Sequence, residues 1–466
     1  MVTKSELTRV ADNIRILSAA MVEKAKSGHP GGAMGGADFM AVLYTEFLRY
    51  DPDQMDYPFR DRFFLDPGHM SPMLYSTLAL AGTYTVEDLR NLRQWGSVTP
   101  GHPEVDVLHG VENTSGPLGQ GHAMALGAAI AERFLAARFG EWQSHKTYAY
   151  ISDGGIEEEV SQGVGRIAGH LGMNNLIMYY DSNNVQLSTK VDEVDTENVA
   201  MKYEAWGWNV ITIDGHDVEQ IREALTAANA EKERPTLIIG RTVMGKGAVA
   251  ADGSSFEDKV STHGQPLTAA GADFAATVKN LGGDPNDPFA VFSESREAFS
   301  ERREALRAWA ARQAEVEKTW RAEHGDLARK LDMFLSGRLP EIDYKSIEVK
   351  AGVATRAASA AVRLRRKDRE HDRGFCGPFE LGQNGRLSQE DQGLHEGRLQ
   401  RQILSGWSLG TDDGLRGQRH GAARGCDSCV RHVLRLLGLH ETGSASFGAD
   451  APARDLYLDA RLVPRW

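Results

Sequence analysis

Two short apolar runs, residues 148–151 (YAYI) and 176–180 (LIMYY), end just before Asp153 and Asn183, which stand thirty residues apart. The segment between them, residues 157–171, is long enough for one crossover helix. Two parallel strands joined by a helix bring their carboxyl ends side by side at one edge of a sheet. A carboxylate from the first turn and an amide oxygen from the second can then share one hard cation. Oxygen ligands of this kind suit Mg²⁺ or Ca²⁺, and Mg²⁺ usually arrives with phosphate oxygens. The spacing therefore points to a metal-held diphosphate, although Asp-Gly and Asn-Asn are also ordinary turn signals.

The rest of the first 290 residues continues the alternation. Ile14, Leu17 and Met21 form an apolar stripe at helical spacing, which predicts a first helix over 5–26, stopped by Gly28. A second helix is expected within 38–49, and an apolar one over 123–139. Two further strands, 208–214 and 236–243, flank a helix over 218–229. Strand and helix in alternation predict an α/β fold, a doubly wound parallel sheet with helices on both faces. Residues 288–335 are highly charged and read as a helical linker lying on the first domain.

At 466 residues the chain has room for two or more domains. A net charge of −12 argues against nonspecific nucleic-acid binding. The opening lacks the unbroken apolar core of a signal peptide, and no stretch is long enough to span a bilayer. Three cysteines give no disulfide framework, and Cys426 with Cys429 lacks the second pair a zinc site needs. These features fit a cytoplasmic enzyme with neither nucleic-acid nor membrane partner.

Asp-Gly followed thirty residues later by Asn resembles the thiamine diphosphate fingerprint, with Ser152 in place of its usual leading Gly. Five ordered segments narrow the resemblance to the transketolase family: SGHPGGAMG (27–35), DRFFLDPGH (61–69), TPGHPE (99–104), TSGPLGQG (114–121) and STHGQPL (261–267). It runs from about residue 5 to about residue 360 and implies a diphosphate-binding domain over 1–287, a linker over 288–346 and the start of a pyrimidine-binding domain over 347–362.

The resemblance also implies a site. Asp153, Asn183 and the carbonyl of Val185 would ligate Mg²⁺, for which Ca²⁺ can substitute, with Gly154 and Asn183 against the diphosphate. Gly116, Pro117 and Leu118 lie in a Gly-rich loop whose backbone can approach the cofactor closely. His69 and His263 would contact the cofactor, while His29, His102 and His263 face the sugar's oxygens. Imidazole titrates near neutrality and can move protons there. Arg356 matches an arginine that grips the acceptor's phosphate, a task suited to paired guanidinium hydrogen bonds. Glu158 is a candidate supporting residue, whereas Glu157 and Glu159 read as solvated helix-start charges. His122, His145 and His170 match no motif histidine.

After about residue 362 the chain changes character, with no lysine beyond Lys367 and frequent arginine. Back-translation of GLRGQRHGAARG, read one nucleotide later, permits ACEANGMALHG. The same shift turns DLYLDARLVPRW into IYIWTHDWSRDG. Both are family-like strings, in one frame and in family order. Residues 363–466 are therefore expected to be an aberrant, poorly folded tail translated out of frame. The pyrimidine-domain glutamate that activates the cofactor is not found in the written tail.

The implied activity is transfer of a two-carbon ketol group from a ketose phosphate to an aldose phosphate, in the pentose phosphate pathway or the Calvin cycle. The implied assembly is a homodimer with sites shared between subunits. Two other readings stay open: a sister enzyme of the dihydroxyacetone synthase type, and a truncated, inactive half-site chain that only binds diphosphate and Mg²⁺.

Overall fold

The computed structural model describes residues 2–337. Five strands form one wholly parallel sheet: β1 (Arg62–Leu65), β2 (Thr147–Ser152), β3 (Leu176–Ser182), β4 (Asn209–Asp214) and β5 (Thr236–Arg241), in the order β1-β2-β3-β5-β4. Successive side chains of a strand point to opposite faces, and here both faces are covered. Tyr148, Tyr150, Ile177 and Tyr179 join one core with the helices Lys4–Ala25, Ser71–Ala81 and Val218–Ala230. Ala149, Ile151, Met178 and Tyr180 join another with the helices Gln120–Phe139 and Glu159–Leu171. Burial on both sides explains why these strands read as continuous apolar runs.

The first helix, Lys4–Ala25, starts at a capping box: Thr3 Oγ1 accepts from the Glu6 N–H, and the Glu6 carboxylate accepts from the Thr3 N–H at 2.7 Å. The segment expected as a second helix over 38–49 is shorter, Ala37–Val42, and opens into a wider π-type turn at Leu43–Phe47. Strand β4 begins one residue later than expected because Trp208 turns inward and its indole N–H donates to the Gly165 carbonyl, 2.8 Å away. Strand β5 stops two residues early: the Thr242 hydroxyl donates to Asp181, and the Val243 N–H donates to His216. Strand β1, inside the segment DRFFLDPGH, was not anticipated as a strand. Four residues are too few to show a period.

The charged region forms a long helix, Ser293–Glu323, and a shorter one, Gly325–Leu335. Ala298, Phe299 and Leu306 are buried along one stripe, and Arg302 and Arg303 donate to the carbonyls of Leu48 and Ala81 at 2.7 and 3.0 Å. The other faces are solvated, which accounts for the charge. Among the described residues no helix is long and apolar enough to cross a membrane. Residues 338–346 of the linker, the expected domain start at 347–362, Arg356 and the tail at 363–466 lie outside the described residues.

Candidate functional site

Strands β2 and β3 pair with Ser152 level with Asp181, so Asp153 emerges beside Ser182 and Asn183. Asp153 is the first residue of a short helix, Asp153–Glu157, and its side chain is not spent on a cap. One carboxylate oxygen accepts from the Tyr180 hydroxyl, and the other accepts from the Asn183 N–H at 3.1 Å. The Asn183 amide oxygen accepts from the Val185 N–H at 3.0 Å. Asp153 is 2 % exposed, and burial, followed by the neighbouring Asp181 charge, pushes its carboxyl up to about 7.

These residues fit a bound cation. The Asp153 carboxyl group has hydrogen-bond donors but, among the described residues, no cationic side chain against it, so a divalent ion there would offset the cost of ionising a buried acid. Among the described residues no three His, Cys, Asp or Glu side chains cluster to hold a metal by themselves. One carboxylate, one amide oxygen and one backbone carbonyl leave coordination positions for diphosphate oxygens, as Mg²⁺ commonly requires.

Four separate segments bring the motif residues to this edge. A Cβ added at Gly154 would lie 3.1 Å from Leu118, which puts the Gly-rich loop against the Asp153 turn. One added at Gly68 would lie 2.9 Å from the Ser115 backbone and 3.0 Å from the Gly116 nitrogen, which presses the same loop onto the turn carrying His69. Gly116 itself has open space where a Cβ would stand, and Pro117 is exposed. A cofactor can reach the backbone from that side.

The histidines converge. The ring centres of His29 and His69 are 5.0 Å apart, those of His69 and His263 5.3 Å, and those of His29 and His263 5.6 Å. His102 lies within electrostatic reach of His29 and His69. Desolvation is the leading cause that lowers all four, including His102, which is itself exposed, with His29 held at about 4 and His69 well below its ordinary value. The imidazoles are thus neutral near pH 7, each with one N–H and one lone pair. The Nδ1 atoms of His29 and His263 are buried without a partner among the described residues. Orphaned buried polar atoms are rare, and a ligand's oxygens or nitrogens could satisfy them.

Sequence reasoning passed over several participants. Asp66, fully buried and the first residue past β1, accepts from the Gly119 N–H at 3.0 Å and the His122 N–H at 3.2 Å, so it caps the helix Gln120–Phe139 and ties the His69 turn to the Gly-rich loop. Burial pushes its carboxyl up to about 6. Arg93 adopts φ 61°, a left-handed backbone unusual for arginine, and donates to Ser27 Oγ at 2.8 Å while its Nε has no partner among the described residues. Its charge helps depress His29 and His102. Glu157 is not a free helix-start charge: both its oxygens accept from Gln186 at 2.6 Å, which steadies the loop after Val185. Glu158 is exposed. Of the unassigned histidines, His122 is fully buried, His145 is buried with its ring against the Gln143 carbonyl at 3.0 Å, and His170 is exposed.

A parallel α/β sheet whose carboxyl edge gathers an Asp–Asn pair, a Gly-rich loop and a set of neutral imidazoles defines a cofactor-binding domain. Residues 7–340 match the family described as transketolase, thiamine diphosphate binding domain. The chain is 41 % identical over 342 residues to a plasmid-encoded transketolase of Cupriavidus necator, covering 72 % of this chain and 49 % of that protein. It is 40 % identical over 368 residues to transketolase 2 of Escherichia coli, covering 75 % and 53 %. Among solved structures, the transketolase from Leishmania mexicana superposes with a TM-score of 0.70 at 35 % identity, covering 75 % of this chain and 52 % of that one. A transketolase from Pichia stipitis in complex with sedoheptulose-7-phosphate gives 0.69 at 32 % identity, covering 75 % and 52 %. This chain belongs to the transketolase family, and it spans about half the length of the relatives it matches.

Proposed function

We propose that the intact protein is a transketolase that moves a two-carbon ketol group between sugar phosphates with thiamine diphosphate and Mg²⁺. One observation carries the reading: three neutral histidine rings, 5.0–5.6 Å apart, share an edge of the sheet with the Asp153–Asn183 turn. When bound, thiamine diphosphate supplies the nucleophilic carbon and electron sink for breaking and making a bond beside a carbonyl. Asp153, Asn183 and the Val185 carbonyl hold the cation, which Ca²⁺ can replace. Gly154 and the 116–118 loop border the diphosphate. His69 and His263 face the cofactor. His29, His102 and His263 bind the sugar's carbonyl and hydroxyl oxygens and hold or move protons at their ring nitrogens. Arg356 grips the acceptor's phosphate. A homodimer in the cytoplasm follows from the family resemblance and the composition.

A second reading concerns the 466-residue chain as written. The glutamate that the resemblance expects in the pyrimidine domain is not found among residues 357–466. We infer that residues 363–466 are an out-of-frame product and that a chain carrying them binds the cofactor yet turns over little. Resequencing codons 350–470 tests the former, and an unbroken frame would overturn it.

The test of function is titration of the chain with thiamine diphosphate, with and without Mg²⁺, followed by tryptophan fluorescence. Binding should require the cation and be lost in Asp153→Asn while the cofactor-free fold is retained. Cation-independent binding would refute the metal assignment. On the frame-corrected protein, turnover with a ketose phosphate and a panel of aldose phosphates, with formaldehyde as rival acceptor, separates transketolase from the dihydroxyacetone synthase type.

A further inference from the structure

A largely buried chain of charged and polar groups that no motif names links the first helix to the segment after β5. Asp38 is 3 % exposed and accepts from Arg15 Nη2 and from the ring Nδ1 of His216, the latter at 2.8 Å. Arg15, equally buried, also donates through Nε to the Met34 carbonyl at 3.0 Å and through Nη1 to Asp12 at 2.9 Å. On the far side of His216, the Val243 backbone N–H donates to Nε2 at 2.9 Å. A backbone N–H can only donate, so Nε2 must carry the lone pair and the ring proton must sit on Nδ1, pointing at Asp38. The geometry fixes one tautomer of a neutral imidazole.

The two ends of this chain are the two segments that carry cleft histidines. Met34 belongs to the helix Pro30–Gly35, which begins directly after His29. Val243 opens the segment that runs to His263. The two segments interlock: the Gly245 N–H donates to the Gly31 carbonyl at 2.9 Å, and a Cβ at Gly31 would lie 2.7 Å from the Thr262 carbonyl oxygen. Likewise a Cβ at Gly35 would lie 3.2 Å from the Val243 carbonyl oxygen. One backbone hydrogen bond ties the two segments at Gly31, and the Val243–His216–Asp38–Arg15–Met34 chain adds a second tie between them.

We propose that His216 and Asp38 are positioning residues that pin the 243–263 segment to the helix Pro30–Gly35 and thereby set the separation of His29 and His263. Neither is among the residues assigned to the cofactor, the cation or the sugar. The functional consequence rests on the proposed transketolase site; the pinning itself does not.

The test uses the full chain with ¹⁵N-labelled histidine. In the wild type at pH 7.5, the His216 signals, identified by their loss in His216→Gln, should be those of a neutral Nδ1–H ring. An Nε2–H or a protonated ring would overturn the assignment. His216→Phe removes both hydrogen bonds and should shift the His29 and His263 imidazole signals. His216→Gln, whose amide supplies one acceptor and one donor, should restore them. Unmoved signals in His216→Phe would overturn the pinning, and if that variant does not fold, failure of His216→Gln to preserve the His29 and His263 signals would do so. In cofactor titrations His216→Phe should weaken binding by about tenfold or more, as expected when reacting groups are misplaced from a distance. Leu331→Ala, which opens a cavity in a remote cluster, should lower stability and leave affinity unchanged. Equal affinity loss in both variants would reduce His216 to a general stability role. If the wild type binds no thiamine diphosphate, the cofactor reading fails, while the tautomer and imidazole signals still decide the pinning.

Discussion

The helix Glu159–Leu171 joins the two strands of the cleft and carries three glycines that make opposite predictions for one substitution. At Gly163 an added Cβ meets nothing within 4 Å among the described residues. Gly163→Ala therefore gains only helix propensity, about 0.5–1 kcal/mol of stabilisation. At Gly165 the Cβ would come within 2.6 Å of the Trp206 ring. Overpacking of that kind costs roughly 1–3 kcal/mol, so the propensity gain is cancelled or outweighed. At Gly169 the Cβ would stand 1.9 Å from the Trp206 carbonyl oxygen and 2.8 Å from its carbon. A backbone atom cannot swing aside as a ring can. The 206–208 segment must move by more than an ångström, with Trp208 and its bond to Gly165 attached. That places the cost at about 3 kcal/mol or more, at the upper end for overpacking. Urea denaturation of the three alanine variants should rank them 163 above wild type, then 165, then 169. Cofactor affinity should fall only for 169, where the crossover shifts relative to the sheet. A Gly169→Ala protein as stable as Gly163→Ala would refute the packing on which this ranking rests.

Two further predictions concern protonation. Arg93→Gln removes one of the causes that hold His29 near 4, but burial remains the largest, so the His29 imidazole should titrate higher yet still below 6.5. Histidine-resolved NMR titration checks this, and an unchanged or lower value would sink it. His122 is fully buried with neither ring nitrogen partnered among the described residues, and burial pushes it down to about 3. The folded state thus binds fewer protons than the unfolded one below pH 6.5, so stability falls as pH drops, by at most about 1.4 kcal/mol per pH unit from this group. His122→Leu should match or exceed the wild type at pH 7.5, and its advantage should grow by about 2 kcal/mol between pH 6.5 and 5. Urea midpoints at the two pH values measure the gap; a constant gap contradicts the assignment.

What was legible in the chain was local and periodic. The apolar runs before Asp153 and Asn183 announced strands because both sheet faces are covered. The thirty-residue interval announced their crossover because a helix between parallel strands has a minimum length. The five motif segments marked His29, His69, His102 and His263, yet nothing in their spacing states that three rings meet within 5.6 Å. That meeting depends on four chain segments arriving at one edge of the sheet, which packing decides. Asp66 lies inside the segment DRFFLDPGH, yet its role, capping a helix that starts at Gln120, exists only once β1 and that helix are neighbours. Glu157 read as a solvated charge because Gln186, its partner, lies on the other side of the crossover. Arg15, Asp38 and His216 are separated by up to 201 residues, and no period or motif links them. Sequence by itself thus determined the elements, their order and the chemistry available at each turn, since propensity and burial act over neighbouring residues. Only the tertiary structure decided which groups share a low-dielectric cleft. Desolvation and partner choice follow from distance in space, and those two set the histidines neutral.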